Sequence, residues 1–267
     1  MKGNDRPIGI FDSGLGGLTV YKAVRELLPG ENVIYFGDTA RVPYGTKSPE
    51  AVIKFSKEIS RYLFDRNIKF LIVACNTASS LALEAIRRIS PVPVMGVIAP
   101  GVDAALAIVP RKGRILVTGT AATVASRAYS RALRAARPDV GVIEKACPLF
   151  VPLVEEGWCA KPLAALAAME YLSGFKKRKL DAVILGCTHY PLLKATIGRV
   201  LGPRVRVVDS AHAAALALRS ALSCGCLLNK GRAGKEVFMV SDAPERFSQL
   251  ALRLLRIKTG KVEVKRF

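Results

Sequence analysis

Ala182-Val183-Ile184-Leu185-Gly186-Cys187-Thr188-His189-Tyr190-Pro191 decides how the chain folds, and Phe70-Leu71-Ile72-Val73-Ala74-Cys75-Asn76-Thr77 repeats its pattern earlier. Each is an uninterrupted apolar run, the mark of a parallel strand covered on both faces, that stops at a small residue, then a cysteine, then a hydroxyl or amide side chain. Each cysteine is thereby placed at the carboxyl end of a strand. In an open α/β sheet that edge is where ligands bind, because the next helix offers free N–H groups and the positive end of its dipole. The same setting favours thiolate over a thiol whose ordinary pKa is about 8.5. Two such cysteines form a candidate acid/base pair.

Around Cys75 the chain reads as α/β. Ile8-Gly9-Ile10-Phe11 is a strand running into Asp12-Ser13-Gly14-Leu15-Gly16-Gly17, a tight turn, and then a helix through Leu28. The glycines lack the third position and the acidic ribose partner of a dinucleotide fingerprint, and a helix cap on Asp12 or Ser13 is the plain alternative. A second strand, 32–36, ends in Gly37-Asp38-Thr39-Ala40 and a loop holding Pro43, Tyr44 and Gly45 at the same edge. Ser48 as N-cap and Pro49 at the first helical position open a helix to Arg66. Beyond Cys75 the spacing predicts one helix over 78–89, a strand over 92–98 and a turn at Val97-Ile98-Ala99-Pro100-Gly101.

Around Cys187 the pattern restarts. A strand at 114–117 ends in Thr118-Gly119-Thr120, a helix opens near Thr123, strands follow at 140–143 and 205–208, and 163–172 is helical. Asp12 precedes Cys75 by 63 residues and Gly119 precedes Cys187 by 68. This weak repetition implies two α/β halves related by an approximate two-fold axis, their strand ends facing one cleft. A helix from Ala211, a strand at 237–240 and a helix at 244–255 complete the first half. Residues 1–98 and 210–267 are thus expected to form a discontinuous first domain and residues 99–209 the second.

With 267 residues, 51% of them hydrophobic, the chain can build substantial cores. Its opening, Met1-Lys2-Gly3-Asn4-Asp5-Arg6, is polar and no signal-like apolar run follows, which points to the cytoplasm. Ala211 to Leu228 is alanine-rich but carries His212 and Arg219, so it reads as a helix of a soluble protein and not a membrane span. Six cysteines show no disulfide framework, and Cys224-Gly225-Cys226 lacks the second pair a zinc site needs. Forty-one Lys and Arg against 21 Asp and Glu leave a net charge of +20. Arg127, Arg131, Arg134 and Arg137 recur at helical spacing, Lys176-Lys177-Arg178-Lys179 is a run, and six basic residues fall in the last fifteen positions. A solvated surface outweighs a nucleic-acid site here, since no aromatic residues interleave and no helix-turn-helix or zinc finger is present.

Six blocks in order give the chain a specific likeness: Ile10-Phe11-Asp12-Ser13-Gly14-Leu15-Gly16-Gly17, Tyr35-Phe36-Gly37-Asp38-Thr39, Pro43-Tyr44-Gly45, Ala74-Cys75-Asn76-Thr77-Ala78, Pro152-Leu153-Val154-Glu155, and Leu185-Gly186-Cys187-Thr188-His189-Tyr190-Pro191-Leu192. The sequence resembles the glutamate racemases of the cofactor-independent aspartate/glutamate racemase superfamily along nearly its whole length. That resemblance implies two flavodoxin-like parallel-sheet domains with the active site between them, no cofactor and no metal, glutamate as substrate, D-glutamate made for peptidoglycan, and a homodimer. It also implies Cys75 and Cys187 as the two acid/base thiols, with Asp12 near the first and His189 near the second. Asp12, Ser13, Tyr44, Gly45, Asn76, Thr77, Thr188 and His189 resemble the family's substrate contacts; Asp38, Thr120, Thr123 and Glu155 stand behind them. DNA gyrase is a reported partner of some members, and for that or for nucleic acid this sequence offers charge but no motif.

Inverting a carbon centre needs a proton removed from one face and another supplied to the opposite face, which explains a pair of thiols. The charge that develops calls for N–H and hydroxyl donors such as Asn76, Thr77 and Thr188. A pyridoxal enzyme would need a Schiff-base lysine and a phosphate cup, and none is evident. Aspartate racemase is the nearest rival, distinguished by the acidic residue it usually carries where His189 stands. A basic, nucleic-acid-associated protein that keeps the fold is the rival from another class. A thiol redox protein would need a C-x-x-C motif that is absent.

Overall fold

The computed structural model describes residues 4–229, 231 and 233–267, so the polar opening at Met1 to Gly3 lies outside them. In chain order the elements are β1 (Ile8–Asp12), α1 (Leu18–Leu27), β2 (Val33–Gly37), α2 (Pro49–Asp65), β3 (Phe70–Val73), α3 (Asn76–Leu81), α4 (Leu83–Arg87), β4 (Val94–Gly96), α5 (Ile98–Ile108), β5 (Arg114–Gly119), α6 (Ala121–Ala125), α7 (Ala128–Ala136) and β6 (Gly141–Ala146). There follow α8 (Phe150–Glu155), α9 (Pro162–Leu172), β7 (Ala182–Gly186), α10 (Lys194–Leu201), β8 (Arg206–Asp209), α11 (Ser210–Cys224), β9 (Glu236–Val240), α12 (Pro244–Leu255) and β10 (Val262–Val264).

The strands form two sheets, both wholly parallel: β10-β9-β2-β1-β3-β4 and β6-β5-β7-β8. Side chains of successive strand residues point to opposite faces, so each apolar run supplies two cores at once. Ile8, Ile10, Tyr35 and Ile72 pack on one face of the first sheet with residues of α1, α11 and α12, while Phe11, Phe36, Leu71 and Val73 pack on the other with residues of α2 to α4. In the second sheet Leu116, Val183 and Leu185 face α8, α9 and α10, and Ile115, Val117 and Ile184 face α5 and α7. Each such side chain, fully buried, contributes about 1.5–3 kcal/mol. That anchoring leaves the strand ends free to carry strained or polar groups.

Several local expectations are corrected. The single helix expected over 78–89 is two, α3 and α4, broken at Ala82, and α3 begins directly after Cys75. The strand expected over 92–98 is only β4, and the turn expected at 97–101 is the start of α5. Pro100 lies in the first helical turn, where its missing N–H has no intrahelical acceptor to lose, so a proline–glycine pair that reads as a turn opens a helix instead. The four arginines do not share one solvated face. Arg127 precedes α7 in the left-handed conformation (φ 56°), and Arg137 beyond its end turns inward, donating to the backbone oxygens of Leu106 and Val109 at 2.6 Å each. Ser48 does cap α2, its Oγ accepting from the Ala51 N–H at 3.3 Å. Among the described residues no helix is long and apolar enough to cross a membrane.

Candidate active site

The carboxyl ends of four strands converge. β1 ends at Asp12, β3 leads through Ala74 to Cys75 at the N-cap position of α3, β5 leads to Thr120 at the N-cap of α6, and β7 leads to Cys187. Thr120 caps its helix through Oγ1, which accepts from the Thr123 N–H at 3.2 Å. Between the ends lies a cavity of about 30 Å3 lined by residues of both sheets' halves, Ser13, Tyr44, Gly45, Cys75, Asn76 and Thr77 on one side and Thr120, Cys187, Thr188 and His189 on the other. Both thiols are buried. A space this size holds only a few waters, so the cavity walls must move for an amino acid to enter.

The two thiols have different surroundings. Cys75 Sγ lies 3.4 Å from Ser13 Oγ, to which it donates, and burial, reinforced by the charge of Asp12, pushes the Cys75 thiol up to about 12. Asp12 is fully buried, and burial raises its carboxyl against the opposing charge of His189 and the donors around it. Its hydrogen bonds go to the Gly14 N–H at 2.9 Å and to the Thr188 hydroxyl at 3.4 Å, so it reaches the first thiol by charge alone and ties β1 to the residue after Cys187. No side chain caps α1, which removes the capping role for Asp12 and Ser13.

At the second thiol, His189 Nδ1 lies 3.8 Å from Cys187 Sγ and Nε2 lies 3.1 Å from Glu155 Oε1. Burial alone would lower the imidazole, but its hydrogen bonds to Cys187 and Glu155 and their charges outweigh it and hold His189 up at about 10. The Glu155 carboxyl is in turn held low: burial opposes this, but His189 and the charge of Arg246 prevail. The imidazole therefore carries its proton near neutrality, between a sulfur and a carboxylate.

Hydroxyls and amides fill the rest. Thr77 Oγ1 lies 2.9 Å from Thr120 Oγ1 and 3.2 Å from Thr123 Oγ1, a triangle of hydroxyls that crosses from α3 to α6. Asn76 Oδ1 accepts from the Tyr129 hydroxyl at 2.7 Å, and Asn76 Nδ2 is buried without a partner among the described residues. Tyr44 donates to Asp38 Oδ2; Asp38 itself stays outside the cavity wall, held by Arg41 Nε at 2.7 Å and Ser241 Oγ at 2.8 Å. At Gly45 a Cβ would stand 2.7 Å from Thr120 Cβ, so only glycine lets this loop press against the other half.

Every site residue named from the sequence thus lies in the cavity wall or directly behind it. Sequence reasoning missed Tyr129, Arg41, Ser241 and Arg246. Ser241 follows the end of β9, where the strand-end rule applied to Cys75 would have found it; Tyr129 sits inside a helix between basic positions and carried no signal.

A family model described as Asp/Glu/Hydantoin racemase matches residues 8–218. The chain is 50% identical over 258 residues to a glutamate racemase of Geobacter metallireducens, covering 96% of this chain and 95% of that one. It is 46% identical over 250 residues to one of Syntrophus aciditrophicus, covering 93% and 92%. Among solved structures, Thermus thermophilus glutamate racemase in complex with beta-chloro-D-alanine superposes with a TM-score of 0.90 at 46% identity over 100% of this chain and 99% of that one. The Francisella tularensis enzyme in complex with D-glutamate gives 0.92 at 38% identity over 98% and 97%. Picrophilus torridus aspartate racemase, at 18% identity and a TM-score of 0.57, shares the fold. The chain belongs to the Asp/Glu/hydantoin racemase family and, within it, to the glutamate racemases.

Proposed function

We propose that the chain interconverts L- and D-glutamate with Cys75 and Cys187 as opposed acid and base. The observation that carries this reading is the pair of buried thiols in one cavity, brought from different sheets and placed in unlike electrostatic surroundings. Cys75 rests as the thiol, and negative charge on Cys187 has an imidazolium for a partner. From L-glutamate, the Cys187 thiolate takes the Cα proton, the electron pair left on Cα spreads into the α-carboxylate, and the Cys75 thiol delivers its proton to the opposite face. The product is D-glutamate, with Cys75 now the thiolate and Cys187 the thiol. The reverse reaction uses the same groups with exchanged roles. The free Asn76 Nδ2 and the hydroxyls of Thr77 and Thr188 serve the charge developing on the carboxylate. Ser13, Tyr44, Gly45 and His189 complete the substrate contacts; Asp38, Thr120, Thr123 and Glu155 hold them in place.

The same reading assigns the product to peptidoglycan, the enzyme to the cytoplasm and the assembly to a homodimer, for which the exposed apolar side chains Leu163, Leu166 and Met169 on α9 give some support. It divides the chain into residues 1–98 with 210–267 around the first sheet and 99–209 around the second, a division supported by the strands each sheet contains.

Circular dichroism following L- to D-glutamate, with no cofactor added, tests the activity. In D2O, early product should carry deuterium at Cα while unreacted substrate keeps protium, from either enantiomer, because the thiol that protonates product has already exchanged with solvent. Cys75→Ser and Cys187→Ser should each all but abolish racemisation, since a hydroxyl is a far poorer base than a thiolate. Near-normal racemisation by either variant, or equal early labelling of substrate and product, would sink the opposed-thiol assignment.

A further inference from the structure

We infer that Tyr129 is a positioning residue for this site: its hydroxyl, reaching from α7 to α3, fixes the Asn76 carboxamide so that Nδ2 is left as the free donor at the cavity. Tyr129 is 1% exposed and donates to Asn76 Oδ1 at 2.7 Å. An amide has one acceptor end and one donor end, so occupying Oδ1 commits the orientation of Nδ2. That Nδ2 is buried and, among the described residues, unpaired, in a residue lining the cavity. A buried donor without an acceptor is costly, and the acceptor it is built to meet is a ligand oxygen; a carboxylate, which only accepts, has the matching chemistry.

The ring of the same tyrosine lies against the strand that carries the other thiol. A Cβ at Gly186, the residue before Cys187, would stand 3.0 Å from Tyr129 Cε2. The ring therefore lies close to the residue that precedes Cys187, while its hydroxyl bonds the residue that follows Cys75.

The inference rests on the thiol cavity being the glutamate site. Tyr129→Phe keeps the ring against Gly186 and removes only the O–H, freeing the amide to turn. Its kcat/KM should fall about tenfold, the loss typical of one committed buried hydrogen bond, with the circular dichroism spectrum of the parent. Asn76→Ala should also lower kcat/KM, and the double variant Asn76→Ala/Tyr129→Phe should be no slower than Asn76→Ala alone, because a positioning residue has nothing left to position. Parent-level kcat/KM in Tyr129→Phe, or losses that multiply in the double variant, overturns the proposal. A second readout needs no change at Tyr129: the Asn76 side-chain NH2 resonances, assigned by their loss in Asn76→Ala, should shift on titration with D-glutamate, and resonances that stay put also overturn it. Failure of the underlying reading would show separately, as full racemisation by Cys75→Ser or Cys187→Ser.

Discussion

His189 shows how one buried side chain links charge and stability. Its proton is held by Cys187 and Glu155 against the pull of burial, with the folded value near 10 and the ordinary value at 6.5. A group whose folded pKa is raised contributes stability that is fully present below the unfolded pKa and lost as pH rises through the folded one, here between 6.5 and about 10. Glu155→Gln should therefore destabilise the protein clearly at pH 7 and much less at pH 10, as read from urea melts at the two values. The chain has only two histidines, so the His189 ring signals can be followed by NMR, and in Glu155→Gln their midpoint should move down toward the ordinary value. His189→Asn should lower kcat from L-glutamate more than kcat from D-glutamate, since the proposed mechanism uses Cys187 as the base only in the first direction. Enantiomers have equal free energies, so kcat/KM must fall equally both ways and the asymmetry must appear in kcat and KM separately. Equal kcat losses at every pH would leave His189 a packing role.

Among the elements, the strand-to-helix turn after β1 places the halves in contact through backbone. A Cβ on Gly16 would stand 2.3 Å from Thr188 Oγ1 and 2.6 Å from His189 Nδ1, and the Thr19 hydroxyl donates to the Thr188 backbone oxygen at 3.0 Å. Gly16→Ala should cost at least about tenfold in kcat by displacing His189, in keeping with the price of a small misplacement at a reacting centre. Gly174→Ala, where a Cβ meets nothing within 4 Å, is the matched control and should keep parent activity. The buried strands were legible because uninterrupted apolar runs leave little choice: β1, β2, β3, β7 and β9 lie within a residue of where their pattern puts them. Both thiols were legible for the same reason, being fixed to strand ends. The first turn of α5 was not, because Pro100 and Gly101 have the composition of a turn while tertiary packing against α7 and α11 makes them helical. Tyr129 was equally hidden, since its partner Asn76 is 53 residues away and only the approach of the two halves joins them.

At the scale of the whole molecule the net charge of +20 is set against few ion pairs among the described residues. The proposed chemistry lies in a buried cavity whose contacts salt screens far less than exposed ones. Racemisation should change little between low and moderate salt, measured as kcat/KM across the range. Titration with duplex DNA bears on the surface itself: tight binding of defined stoichiometry near physiological salt would contradict a merely solvated basic face. The joint between the halves carries one more property. Glu155, which holds His189, also receives Arg253 Nη2 from α12 on its backbone oxygen at 2.6 Å, and three residues later stands Trp158, the only tryptophan, 42% exposed. An opening that parts the halves to admit glutamate would change the surroundings of this nearby indole, so unlabelled protein should report it as a shift in fluorescence emission that saturates with substrate, timed by stopped flow against turnover.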